Sequence, residues 1–217
     1  MNKEAKILLG LTIGTILVLV GGVFFFSTKE ATPQATETKT YDEKLLLGEN
    51  SAVKGATEPK VTIVEFGDFQ CPACAASYPN TNALVEEYKD KVKFVFRHFP
   101  LQQHAQAMDA SRAAEGAAAQ GKFWEMHDKL YGNLDQWAEK SDAVTIFEGY
   151  AKELGLNVDE FKKAFTDKPY DAKIRAGMTD GNAVGVTATP TFYVNGQKVV
   201  GVFSVEEWKR LLDEYLK

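Results

Sequence analysis

Fourteen residues decide the reading of this chain: Val61-Thr-Ile-Val-Glu-Phe-Gly-Asp-Phe-Gln-Cys71-Pro-Ala-Cys74. The first seven follow Pro59 and are short, apolar and β-branched, the pattern of a buried strand. Past the strand's exit comes Cys71, and Pro72 opens a helix predicted to reach Tyr88 with Tyr78, Leu84, Val85 and Tyr88 on one apolar face. Proline suits a first helical position, where its missing N–H has no intrahelical partner and its φ is preset. The free N–H groups of that helix end then face the Cys71 sulfur and favour its thiolate, the attacking species in disulfide exchange. Cys74, one turn on, is the expected resolving partner and the more buried of the two.

Outward from this motif, Val92-Lys-Phe-Val-Phe-Arg-His-Phe99 is a second strand, stopped by Pro100. Strand, helix and strand of these lengths predict a βαβ unit with parallel pairing and a right-handed crossover. From His104 to about Val184 the composition turns helical, with helices expected over Ala105–Ala119, Phe123–Tyr131, Val144–Leu154, Asp159–Phe165 and Tyr170–Val184. Strands return at Thr191-Phe-Tyr-Val, and Asn195-Gly196 signals a type I′ hairpin into Lys198-Val-Val. Ser204-Val-Glu-Glu207 is a capping box opening a last helix, with Val205, Trp208, Leu212 and Tyr215 at helical spacing. One mixed sheet covered by helices on both faces, with an all-helical insertion at about 104–184, accommodates this order.

The chain has 217 residues, is 45% hydrophobic and 25% charged, and carries a formal net charge of -5. That balance, without a basic run, argues against a nucleic-acid surface. Cys71 and Cys74 are its only cysteines, so no long-range disulfide staples the fold and the pair's value is chemical. A structural zinc needs four ligands, and His98, His104 and His127 lack ligand spacing. No metal is expected, and two inert thiols are the weaker reading of the pair.

Near the N-terminus, Ile7 to Phe26 is a run of 20 residues without charge or proline. As a helix it would measure about 30 Å, the thickness of a bilayer's hydrocarbon core. Lys3 and Lys6 precede it, which places the N-terminus in the cytoplasm and the remainder outside. A cleaved signal peptide and a buried core helix are the alternatives; the run is long and ends in Phe24-Phe25-Phe26, a poor cleavage context. The expected organisation is a membrane anchor at 1–28, a flexible linker at 29–44, and a folded domain at 45–217.

The segment Phe66-Gly-Asp-Phe-Gln-Cys71-Pro-Ala-Cys74, together with Arg97-His-Phe-Pro-Leu101, Gly121-Lys-Phe-Trp-Glu-Met-His127 and Gly185-Val-Thr-Ala-Thr-Pro190-Thr-Phe, resembles the DsbA-like thioredoxin family. The resemblance covers roughly Leu45 to Lys217. It implies a thioredoxin-like α/β fold and a thiol:disulfide oxidoreductase whose redox group is the Cys71–Cys74 disulfide, with no other cofactor. It implies that Pro190 is a cis-proline facing that disulfide, with the backbone at Thr189 pairing with an extended substrate beside Pro72 and Ala73. It matches Glu65 to a buried acid beneath the dithiol, raised in pKa and able to exchange protons with Cys74; an edge-exposed Glu65 is the alternative.

Ala73 stands where the family's strong oxidases carry histidine, and Asp68 adds a negative charge nearby; both weigh against a very oxidising potential. His98 and His104 read as surface or capping residues, and His127 as packing locally. The expected function is introduction of disulfides into exported, reduced or unfolded proteins, with a membrane quinone-linked reoxidase as partner. Isomerase or reductase action on the same scaffold, and a redox-independent folding helper, are the competing readings.

Overall fold

The computed structural model describes residues 41–217. The expected anchor at 1–28 and most of the expected linker lie outside the described residues. No helix among the described residues is long and apolar enough to cross a membrane.

In chain order the elements are α1 (Glu43–Leu47), β1 (Ala52–Gly55), β2 (Val61–Gly67), α2 (Pro72–Glu87) and β3 (Val92–His98). The helical insertion follows as α3 (Ala107–Ala118), α4 (Phe123–Gly132), α5 (Leu134–Trp137), α6 (Ala143–Glu153), α7 (Val158–Thr166) and α8 (Asp171–Ala183). The chain closes with β4 (Thr191–Val194), β5 (Gln197–Val200) and α9 (Val205–Leu216). The sheet order is β1-β3-β2-β4-β5. Strands β2 and β3 pair in parallel, as the βαβ pattern requires, and the other neighbours are antiparallel.

Both faces of β2 are covered, which is why it reads as nearly continuous apolar sequence instead of alternating. Val61 and Ile63 face a core with Leu84 and Val85 of α2 and Trp208, Leu211 and Leu212 of α9. Val64 and Phe66 face the opposite core, with Leu46, Val95, Phe99, Val184, Val186 and Tyr193. A third core gathers Ala110, Ala113, Ala114 and Ala117 of α3 with Phe123, Met126, Leu130, Trp137, Phe147 and Phe161, and it includes both cysteines. The small alanine face of α3 lets the neighbouring helices approach closely.

Local signals are realised where they were read. Asn195 and Gly196 both take positive φ, 46° and 83°, at the hairpin turn. Both hydrogen bonds of the Ser204–Glu207 capping box are present. Two elements differ. The ordered body includes Tyr41 to Lys44 ahead of Leu45: the Tyr41 amide donates to the Gly196 carbonyl, and Asp42 caps α1. Strand β1 carries no sequence signal, since Ala-Val-Lys-Gly is short and half exposed. It exists because β3 offers a free edge, and Ala52 to Gly55 pair along Phe96 to Lys93.

Candidate active site

At the junction of β2 and α2, four hydrogen bonds fix the turn before Cys71. The buried Asp68 carboxylate accepts from the amides of Gln70 and Leu101 and lies 2.6 Å from Nδ1 of His104. The Cys71 amide donates to the Asp68 carbonyl. Gln70 ties the turn to the insertion, donating to the Ala138 carbonyl and accepting from the Gln106 amide. Asp68 is therefore a structural clamp. The largest influences on Cys71 are hydrogen bonds and burial, not the Asp68 charge.

Cys71 is the N-cap of α2, with Pro72 in the first turn. Cys71 is 7% exposed, whereas Cys74 is fully buried. Both are thiols in this structure. Cys71 is held down to about 5, first by a hydrogen bond from the Cys74 thiol, then by the Thr189 side-chain hydroxyl and the amides of Cys74 and Ala73, against the opposing effect of burial. Burial drives Cys74 the other way, well above the ordinary thiol range. The dithiol is thus polarised into a ready nucleophile and a protonated partner, without a histidine at position 73.

The Thr189-Pro190 peptide bond is cis. The Cys71 thiol donates to the Thr189 carbonyl at 3.3 Å. Pro190 and Thr189 are buried, while Pro72 is exposed and Ala73 half buried, so one side of the motif is open to a partner. The exposed Val200 pairs with Thr191, and Val202 beyond it is also exposed.

Glu65 is 3% exposed, between Phe96 on β3 and Phe192 on β4. Burial raises its carboxyl to about 8, with the Cys71 charge pushing the same way and Lys54 opposing. The edge-exposed alternative does not hold. Gly67 is glycine for this reason: an added Cβ would sit 2.5 Å from the Phe96 ring and 3.0 Å from a Glu65 oxygen.

Lys54, unmarked by the sequence, joins the site from β1. Its ammonium donates to Asn82 at 2.6 Å and lies 4.4 Å above the Trp124 ring. Desolvation lowers its pKa. Lys54 and Glu65 line one small cavity with Tyr78, Asn82 and His127.

A thioredoxin family model matches residues 48–214. The chain belongs to the thioredoxin family. Among solved structures, the chain resembles a thioredoxin-like oxidoreductase from Silicibacter pomeroyi at 27% identity and TM-score 0.69, covering 80% of this chain and 97% of that one. It shares the DsbA-type fold of alpha-DsbA1 from Wolbachia pipientis, at TM-score 0.71, 23% identity, and coverage of 79% and 94%. BdbD from Bacillus subtilis gives TM-score 0.68, 22% identity, and coverage of 76% and 92%. Curated relatives include Na(+)/H(+) antiporter NhaA 3 of Salinispora tropica, 37% identical over 155 residues, which is 71% of this chain and 23% of that protein. Against NhaA 1 of Mycobacterium sp. strain KMS the identity is 32% over 169 residues, covering 76% and 27%. The chain thus spans about a quarter of these antiporters' length.

Of the histidines, His98 departs from its surface reading. His98 is buried, with Nε2 2.8 Å from Glu115, whose other oxygen accepts from Lys173. His104 is the clamp partner of Asp68. His127 does pack locally, among Phe69, Phe96, Trp124 and Tyr131. Among the described residues no group of acids, histidines and cysteines could hold a metal ion.

Proposed function

We propose that this protein is an extracytoplasmic thiol:disulfide oxidoreductase acting as a disulfide donor to exported proteins. One observation carries the reading: the Cys71 sulfur caps a helix N-terminus and is held to about 5, beside the cis-Pro190 bond and the open edge at Pro72 and Ala73. A low thiol pKa stabilises the reduced form relative to the disulfide, which is the property of an oxidant.

In the oxidised protein, a substrate thiolate attacks the Cys71 sulfur, the Cys71–Cys74 bond breaks, and Cys74 leaves as a thiolate that takes the proton of Glu65. The substrate's second thiolate then attacks the mixed disulfide, and Cys71 departs as a stabilised thiolate. The result is one substrate disulfide and one reduced dithiol. An extended substrate would lie along Thr189, Pro190, Pro72 and Ala73, with Val200 and Val202 as apolar contacts. A quinone-linked membrane reoxidase would return the dithiol to the disulfide, and the Ile7–Phe26 segment would hold the domain near it.

Equilibrating the full-length protein with glutathione tests the direction. A potential near the ~-120 mV of strong oxidants is expected, and one near the ~-270 mV of reducing thioredoxins would move the assignment to reductase or isomerase. A redox-independent folding helper would suppress aggregation equally well with both cysteines replaced.

A further inference from the structure

Glu65 can serve Cys74 repeatedly only if its own proton reaches solvent, and the oxidoreductase reading leaves that route open. The carboxyl lies inside the sheet, but it borders a cavity of about 10 Å³ lined also by Lys54, Tyr78, Thr81, Asn82, Phe94 and His127. That is about the space one water centre requires, and the lining supplies the polar partners such a water needs. His127 is 3% exposed. Its Nδ1 lies 3.0 Å from the half-exposed Asp128 carboxylate, while its Nε2 is buried without a hydrogen-bond partner among the described residues. The Asp128 carboxylate also raises the Tyr78 phenol, after the larger effect of burial. His127 therefore joins this small cavity to a surface acid.

We propose that Glu65 exchanges its proton with solvent through His127, over one water in the cavity they share, with Asp128 as the outer acceptor. To release the proton, the Glu65 O–H bond breaks and the water takes that proton while passing one of its own to Nε2 of His127. The Nδ1 proton moves to Asp128 as the ring changes tautomer, and Asp128 passes it to bulk water. The sum is one proton moved from Glu65 to solvent, and the return journey reverses each bond.

No charged imidazole persists at the end, which suits a ring whose burial lowers its pKa. The groups around the ring are compatible. Lys54 from β1 and His98 from β3 oppose its protonation, Asp128 favours it, and Tyr78 and Tyr131 stay neutral because burial raises both phenols. The Lys54 ammonium, bonded to Asn82 and seated over Trp124, is the competing outlet.

The test uses the full-length reduced protein, glutathione disulfide and rapid mixing. Attack by Cys71 is followed in a Cys74→Ser background, and ring closure by Cys74 in the parent. His127→Gln and the outer variant Asp128→Asn are expected to slow closure about tenfold or more at neutral pH, within the range for general acid–base steps. Mixed-disulfide formation and the equilibrium constant with glutathione should stay unchanged. Free imidazole should restore closure in His127→Gly, which a packing role would not allow.

Unchanged closure in both His127→Gln and Asp128→Asn overturns the route. So does a parallel fall in attack and closure without imidazole rescue, and so does slow closure in Lys54→Met alone. A parent protein forming no mixed disulfide would instead sink the oxidoreductase reading itself.

Discussion

The Cys71 sulfur donates to the carbonyl oxygen of Thr189 at 3.3 Å, across 118 positions of sequence. This contact joins the two halves of the thioredoxin unit, α2 on one side and the approach to β4 on the other, with the helical insertion between them in sequence. The same carbonyl lies beside the backbone that an extended substrate would pair with. Ionisation of Cys71 ends its donation to Thr189, so the charge state of the nucleophile is coupled to the surface where a substrate would bind.

The ultraviolet absorbance of thiolate in the reduced full-length protein should rise with a midpoint at about 5, with Cys74 silent until strongly alkaline pH. The largest influence on Cys71 is the Cys74 thiol, so Cys74→Ala should move the midpoint upward, toward the ordinary 9.0. A midpoint unmoved by that change would assign the stabilisation to the helix amides instead. The linkage follows from a depressed folded pKa: this group's contribution to the reduced protein is full above 9.0 and is lost as pH falls through about 5.

Glu65 has the opposite sign. Its carboxyl is raised from 4.5 to about 8, so its neutral form fits the fold and its stability contribution is lost as pH rises through about 8. Glu65→Gln should therefore stabilise the reduced protein increasingly between pH 4.5 and 8 and then level off. At about 1.4 kcal/mol per pKa unit the upper bound is ~5 kcal/mol. Urea unfolding across that range is the measurement, and a pH-independent difference would contradict a buried proton on Glu65. Closure by Cys74 should slow in the same variant.

Much of this was legible in the sequence because the signals are local. The β2 run, the Cys71-Pro72 junction, the Asn195-Gly196 turn and the Ser204–Glu207 box each specify their geometry within a few residues. Glu65 was legible only through family resemblance, since strand alternation alone permits either face. What escaped depends on distant partners. Lys54 lies on a four-residue strand defined by the edge of β3, and its neighbours Asn82 and Trp124 are far along the chain. His98 reads as a strand-end polar residue until α3 delivers Glu115 and α8 delivers Lys173. Asp68 reads as a nearby charge until Leu101 and His104 fold back onto it.

Arg97 should be a stability residue distinct from the chemistry. It is buried, donates to the carbonyls of Leu45 and Leu46, and pairs with Asp180 at 2.5 Å. Losing a buried guanidinium that bonds two carbonyls and a carboxylate costs roughly 1–3 kcal/mol, since the partly exposed Asp180 keeps water as a partner. Arg97→Ala should lower unfolding free energy by about that amount, through loosening of α1 and α8. The Cys71 titration midpoint should not move; a shift would mean that α1 and α8 help to hold the active-site turn.

Asp68→Ala separates the clamp from the charge. The substitution leaves the buried Gln70 amide, the part-buried Leu101 amide and His104 without their shared acceptor. Each unsatisfied buried donor costs roughly 1–3 kcal/mol, so a loss of several kcal/mol is expected in denaturant unfolding. If Asp68 acted mainly as a negative charge near the thiol, its removal would lower the Cys71 midpoint and speed alkylation at pH 5. If it acts as a clamp, the turn carrying Cys71 loosens, the Ala73 and Cys74 amides lose their aim at the sulfur, and the midpoint rises from about 5. Asp68→Asn sharpens the comparison, since it removes the charge but keeps one carbonyl oxygen to accept from an amide. Its midpoint should lie between those of the parent and Asp68→Ala, and a fall below the parent value would restore the purely electrostatic role.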